Sequence, residues 1–172
     1  MLIRAATEAD IPEMQAIYAH HVLHGTGTFE EIPPTVDEMH ERWHNVINKG
    51  CTWLVAQGDE GVVGYGYYQQ IRDRSAYRFT AEDSIYVREN VRGQGVGKAL
   101  VVALVQAATE AGFRQMIAVI GDSENIGSIG VHTSLGFRKV GVLHATGLKF
   151  GRWLDTVYMP RALGSGDADV PA

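Results

Sequence analysis

Cysteine is almost absent from the 172 residues. Cys51 stands alone, which excludes an internal disulfide and fits a reducing, cytoplasmic setting. Long apolar runs are also missing: no stretch approaches the 18 or so residues of a membrane span. Positive charge is in deficit, with 15 basic against 20 acidic side chains and a net charge of −5. The chain therefore lacks the basic footprint of a general nucleic-acid binder. Glu8, Asp10 and Glu13 interrupt the opening segment, so no secretory signal is expected there. What is present is an ordinary globular composition, 45% hydrophobic and 20% charged, with length for one domain and a full core. Residues 1–163 are expected to form that domain. Residues 164–172, small, polar or acidic, are expected to form a flexible tail.

Periodicity then orders the elements. A short strand over 2–6 leads to a helix entered through Thr7, with Asp10 as capping-box partner and an apolar stripe at Ile11, Met14, Ile17 and Tyr18. Gly25, Gly27, Pro33 and Pro34 mark a loop. Thr35 and Glu38 cap a second helix running to about Lys49, with apolar positions Val36, Met39, Trp43, Val46 and Ile47. Strands follow over 52–57 and 62–70, then a charged loop over 72–78 and a strand over 80–87. A helix over 96–111, a buried strand over 116–120, a helix over 125–135 and closing strands over 137–144 and 155–159 complete the chain. The order implies an α/β fold: a mixed sheet of about six to seven strands, about four helices, and one parallel crossover in its second half.

The most informative stretch is Ile85-Tyr86-Val87-Arg88-Glu89-Asn90-Val91-Arg92-Gly93-Gln94-Gly95-Val96-Gly97-Lys98. A strand runs into a glycine-rich turn that opens a helix. Such a turn lets backbone N–H groups curl around an anion at the positive end of the helix dipole. Arg88, Arg92 and Lys98 add cations. The dinucleotide fingerprint is excluded by Lys98 where a glycine is needed, and the P-loop by Arg92 and Ala99. A phosphate cradle and a plain strand-to-helix turn with incidental glycines both remain open on spacing alone.

Arg92-x-x-Gly95-x-Gly97 resembles the acetyl-CoA pyrophosphate motif of the GNAT acetyltransferases. Asn125-x-x-Ser128-x-x-x-His132-x-x-x-Gly136-Phe137 is similar to that family's fourth-helix motif. Thr80-Ala81-Glu82-Asp83-Ser84-Ile85-Tyr86-Val87 and Lys149-Phe150-Gly151-Arg152-Trp153-Leu154-Asp155 resemble segments of its phosphinothricin and methionine sulfoximine acetyltransferase branch. The resemblance implies a GNAT fold and acetyl-CoA as co-substrate. It implies N-acetylation of the α-amine of phosphinothricin, methionine sulfoximine or methionine sulfone, and a homodimer. It gives Ile85, Tyr86 and Val87 backbone contacts to the pantetheine arm at a strand bulge. The pyrophosphate falls to Arg92, Gly93, Gln94, Gly95, Val96, Gly97 and Lys98. Asn125 and Ser128 join the cofactor side, and Phe29, Glu30 and Glu31 the substrate side. No metal is expected.

Chemistry adds roles. A protonated amine cannot attack a thioester, so a base is needed. Glu82 shares a strand face with Tyr86 and is the candidate base, directly or through a water, while Asp83 points to the other face. An oxyanion would need a backbone N–H near Val87. His132 stands where many relatives of this fold carry a proton-donating tyrosine; it either gives the departing thiolate its proton or is a structural histidine of the helix. Arg72, Arg74 and Arg78 suit capture of a carboxylate or phosphinate, with Tyr77 beside them. Family likeness favours Arg72 and Arg74.

Two competing classes stand against this. His40-Glu41-Arg42-Trp43-His44 spells the H-E-x-x-H pattern of zinc peptidases, but Ile47 and Gly50 break its extended form. A non-catalytic acyl-CoA sensor would keep the 93–98 cradle and need no base.

Overall fold

The computed structural model describes residues 1–171. Alternating apolar residues produce a seven-stranded sheet: β1 (Leu2–Ala5), β2 (Trp53–Gly58), β3 (Gly61–Gln70), β4 (Thr80–Val87), β5 (Gln115–Gly121), β6 (Gly141–Lys149) and β7 (Arg152–Ala162). Their order across the sheet is β1-β2-β3-β4-β5-β7-β6. Only β4 and β5 run parallel, joined by the crossover helix α3 (Val96–Glu110). The other pairs are antiparallel. This is the mixed α/β sheet with four helices that the sequence implies.

Strand alternation sends neighbouring side chains to two separate cores. Trp53, Val55 and Tyr65 pack with α1 (Ile11–His24) and α2 (Val36–Asn48) on one face. Leu54, Ala56, Tyr68 and Ala81 pack with α3 on the other, where α4 (Ile126–Ser134) also lies. On α3, Leu100, Val101, Leu104 and Ala108 are wholly buried. The apolar stripe of α2 is narrower than its sequence suggests. Met39 and Val46 are buried and Trp43 packs partly buried against the same core, but Val36 and Ile47 at the two ends of the helix are exposed.

The Thr7–Asp10 capping box forms, but it caps a 3₁₀ turn over Glu8–Asp10 before α1 starts at Ile11. Pro12 occupies the first turn of α1, where its missing N–H costs nothing. Asp10 is further held by Arg4, through two hydrogen bonds of 2.7 Å. Thr35 and Glu38 form the second capping box as expected. In the segment expected to be a tail, Arg114 donates to Ser165, to the Gly166 carbonyl and to Asp169.

Candidate active site

The two parallel strands pair only from Thr80–Gln115 to Asp83–Ala118. Beyond that point β4 follows β3 and β5 follows β7. The strands part, opening a cleft of about 1020 Å³. Its walls are Ser84–Val87 of β4, the end of α1, the 93–98 turn, the end of β5 and the start of α4.

The β3–β4 register fixes which peptide groups face this cleft. Arg88 N bonds Val63 O and Ile71 N bonds Thr80 O, so even-numbered residues of β4 bond β3. The peptide groups of Ile85 and Val87 therefore turn toward the gap, and that of Tyr86 turns to β3. The register is unbroken, so no bulge frees these groups; the divergence from β5 does. The Val87 carbonyl is already taken by a 2.8 Å hydrogen bond from His21 Nε2. Tyr86 packs its ring on Tyr18 at 4.8 Å.

In the glycine-rich turn, Gly93 and Gly95 have φ of +76° and +83°. These are left-handed conformations that favour glycine. A Cβ at either would meet nothing within 4 Å, so the requirement is conformational and the space around them is open. Gly95 caps α3, leaving the first N–H groups of the helix aimed out of its end. Arg92 and Lys98 are exposed there, although Arg92 pairs with Glu89 at 3.0 Å. Gln94 bonds the Asn90 carbonyl. Arg88 is committed elsewhere, to Glu13 at 2.7 Å. The remaining donors and the open cleft fit a phosphate-bearing arm entering between β4 and β5. Asn125 lines the same cleft and caps α4 by accepting from Ser128 N.

Glu82, Ser84 and Tyr86 lie on the α1/α2 face, while Asp83, Ile85 and Val87 face α3 and α4. Glu82 is half-buried opposite Gln69. Burial raises its pKa, the Arg72 charge opposes that rise, and Asp83 adds to it. Arg72 and Arg74 are exposed, as is Tyr77. Arg78, also exposed, lies 4.7 Å over the Phe79 ring.

The α1–α2 loop is strapped to the β6–β7 hairpin. Lys149 is 1% exposed, and its Nζ donates to the Gly25 and Thr28 carbonyls at 2.8 and 2.9 Å. Phe29 fills the space above Gly147, where a Cβ would come within 2.6 Å of its ring. Glu30 pairs with Arg42 at 2.9 Å, and Glu31 is exposed. Asp122, at φ +72°, joins the loop to β7 by accepting from Thr26 and Arg152. Sequence reasoning missed His21, Asp122 and the burial of Lys149. Nothing in local periodicity marks them, since each depends on a partner distant in the chain.

His132 reaches Asp83 at 2.9 Å across the α4–β4 interface. Thus Glu82 and His132, read together from sequence, occupy opposite faces of the sheet. On α2, His40 faces Glu8 and His44 faces Asn48. Among the described residues no three potential metal ligands converge. Burial pushes the Cys51 thiol pKa up, away from an activated thiolate.

The sequence profile of the acetyltransferase (GNAT) domain family matches residues 3–158. The chain is 47% identical to a phosphinothricin N-acetyltransferase of Alcaligenes faecalis, over 98% of this chain and 86% of the relative. It is 39% identical to the L-methionine sulfoximine/L-methionine sulfone acetyltransferase of Pseudomonas aeruginosa, over 91% of each. A crystal structure of a phosphinothricin acetyltransferase from Sinorhizobium meliloti in complex with AcCoA superposes with a TM-score of 0.96, at 46% identity, covering 99% of this chain and 92% of the other.

Proposed function

Since the chain belongs to the GNAT acetyltransferases and takes its acetyl group from acetyl-CoA, we propose that it acetylates the α-amine of a small amino-acid-like molecule of the phosphinothricin, methionine sulfoximine or methionine sulfone type. The observation that carries this is Glu82, a half-buried carboxylate next to the point where β4 and β5 part, with the charge of Arg72 acting on it. Burial makes it a better base near neutral pH than an exposed glutamate. Arg72 and Arg74, with Tyr77, supply exposed donors for a carboxylate or phosphinate on the same substrate. The named activities of the relatives support this class.

Acetyl-CoA supplies an acetyl group activated as a thioester. The 93–98 turn would hold its phosphates, and the Ile85 and Val87 peptide groups its arm, with Asn125 and Ser128 at the opposite wall. Glu82 takes a proton from the substrate ammonium, directly or through a water, so that the free amine can attack. Phe29 and Glu30, fixed by Gly147 and Arg42, bound the acceptor side. The β6–β7 edge exposes Leu143, Leu148, Phe150 and Trp153, an apolar patch that suits a second copy of the chain. The lone cysteine suits a cytoplasmic setting.

The test is free-thiol release from acetyl-CoA with a panel of amines: phosphinothricin, methionine sulfoximine, methionine sulfone, ordinary amino acids, a polyamine, an aminoglycoside and a lysine peptide. Turnover confined to the first three is the expected result. Turnover on the polyamine, aminoglycoside or peptide instead would discard the roles of Arg72 and Arg74. Coenzyme binding with no thiol release on any amine would favour a sensor.

A further inference from the structure

His132 is 2% exposed and Asp83 5% exposed. Both ring nitrogens of His132 face acceptors. Nδ1 lies 2.7 Å from the Ser128 carbonyl; a carbonyl only accepts, so Nδ1 carries a proton. Nε2 lies 2.9 Å from Asp83 Oδ2. The Phe137 ring meets the imidazole edge-on, 4.9 Å between centroids. Neither nitrogen has a free N–H or lone pair to offer the cleft, although both residues line it.

The surroundings favour the charged ring. Burial works against an imidazolium, but the hydrogen bond and charge of Asp83 more than offset it, and the ring's pKa lies above its ordinary value. Among the described residues, Asp83 on β4 is the one ionisable side chain acting on that charge. From α4 come the Ser128 carbonyl and, at 3.4 Å, its hydroxyl. Beyond α4 comes Phe137, and Lys98 of α3 lines the same cleft but is exposed.

Position gives this pair a task. Asp83 is the last β4 residue paired with β5, so the pair sits at the apex of the cleft. Its other oxygen, Oδ1, is buried with no hydrogen-bond partner among the described residues. A buried ion pair adds little stability over apolar filling, so an unfinished one at the apex of a reaction cleft calls for a functional reason.

We propose that Asp83 is a positioning residue that holds His132 as a fixed, doubly protonated cation at the apex of the cleft, where it stabilises the sulfur leaving as a thiolate. This rests on the transferase reading above. The protons balance without His132 giving one up. The ammonium loses one proton to Glu82, and the C–N bond forms. The C–S bond breaks with its electron pair on sulfur, and the surplus proton on nitrogen passes to that sulfur or to solvent. His132 starts and finishes with two protons.

The test is ¹⁵N NMR of the histidine rings in the full chain, with steady-state kinetics of the wild type and Asp83→Asn. In the wild type, His132 should stay doubly protonated at pH values where free imidazole has lost its proton. In Asp83→Asn the ring should titrate at or below the free value. The kcat should fall about 10-fold or more, with both KM values within about twofold. The remaining activity should decline as pH rises through the ring's titration. A wild-type ring with one bare nitrogen at neutral pH would overturn the proposal, as would Asp83→Asn with wild-type kcat and pH profile. Should the variant fail to fold, the wild-type spectrum still decides how the ring is held. Absence of turnover on every amine would instead sink the transferase reading and the catalytic role with it, leaving the spectrum to answer for Asp83's hold on the ring.

Discussion

At the scale of single residues, the site depends on burial setting the chemistry of ordinary side chains. Glu82 is raised by burial and restrained by Arg72. The base function proposed for it needs the carboxylate, so activity should rise with pH through its raised pKa and then level. Glu82→Gln should lower kcat about 10²- to 10⁴-fold while leaving acetyl-CoA binding intact; titration calorimetry beside the thiol assay separates the two. Unchanged turnover in Glu82→Gln would remove the base assignment. Removing Arg72 takes away the charge that opposes the rise. Arg72→Ala should therefore shift the pH–rate profile upward as well as raise the acceptor KM. An unshifted profile would mean that Arg72 does not act on Glu82.

At the scale of elements, much was legible because the determinants are local. The 35–38 capping box, the glycines at 93 and 95 and the apolar face of α3 each declare themselves within a few residues. The closing hairpin did not. Its strands were expected over 137–144 and 155–159 but run Gly141–Lys149 and Arg152–Ala162. Ala145, at φ +54°, breaks the alternation in β6, and Asp155 satisfies its N–H from the facing strand. Phe150 and Gly151, both at positive φ, make the two-residue turn that mates Lys149 with Arg152. Phe-Gly is not the Asn-Gly signal such turns usually carry. Strand alternation predicts that Glu82 shares a face with Tyr86, and the unbroken register of β4 keeps it there. The contact of His132 with Asp83 was not legible, because it joins two elements 49 residues apart.

The start of α1 shows what a local device is worth. Asp10 accepts from Arg4 and Thr7, and its pKa is lowered to about 2, led by the Arg4 hydrogen bond. The folded value lies below the unfolded one. The stabilisation is therefore complete above the ordinary carboxylate value of 3.8 and is lost as pH falls toward 2. Asp10→Asn should cost about 2 kcal/mol near neutral pH, and the difference from wild type should shrink across that acid window. Urea unfolding at several pH values reads this directly. A gap that persists unchanged at the acid end would mean that the Arg4 pair is not its source.

At the scale of the whole molecule, the chain divides labour between the middle of its sheet and one edge. The parting of β4 and β5 makes the cleft in the middle. The β6–β7 edge straps the α1–α2 loop through Lys149 and at the same time exposes Leu148, Phe150 and Trp153 to solvent. Leu148 and Trp153 are direct cross-strand partners, so they present one contiguous apolar surface on an otherwise acidic chain. Burying that surface against a second copy removes it from water, and a charge placed at its centre should prevent the pairing. Trp153→Lys should therefore turn a dimer into a monomer by light scattering. Because the 93–98 turn and the Ile85 and Val87 peptide groups belong to elements other than this hairpin, the monomer should still bind acetyl-CoA with nearly wild-type affinity. A wild-type chain that is monomeric throughout the assay range would remove the pairing. A monomeric variant that loses acetyl-CoA binding, with its fold intact by circular dichroism, would show instead that the hairpin's partner completes the cleft.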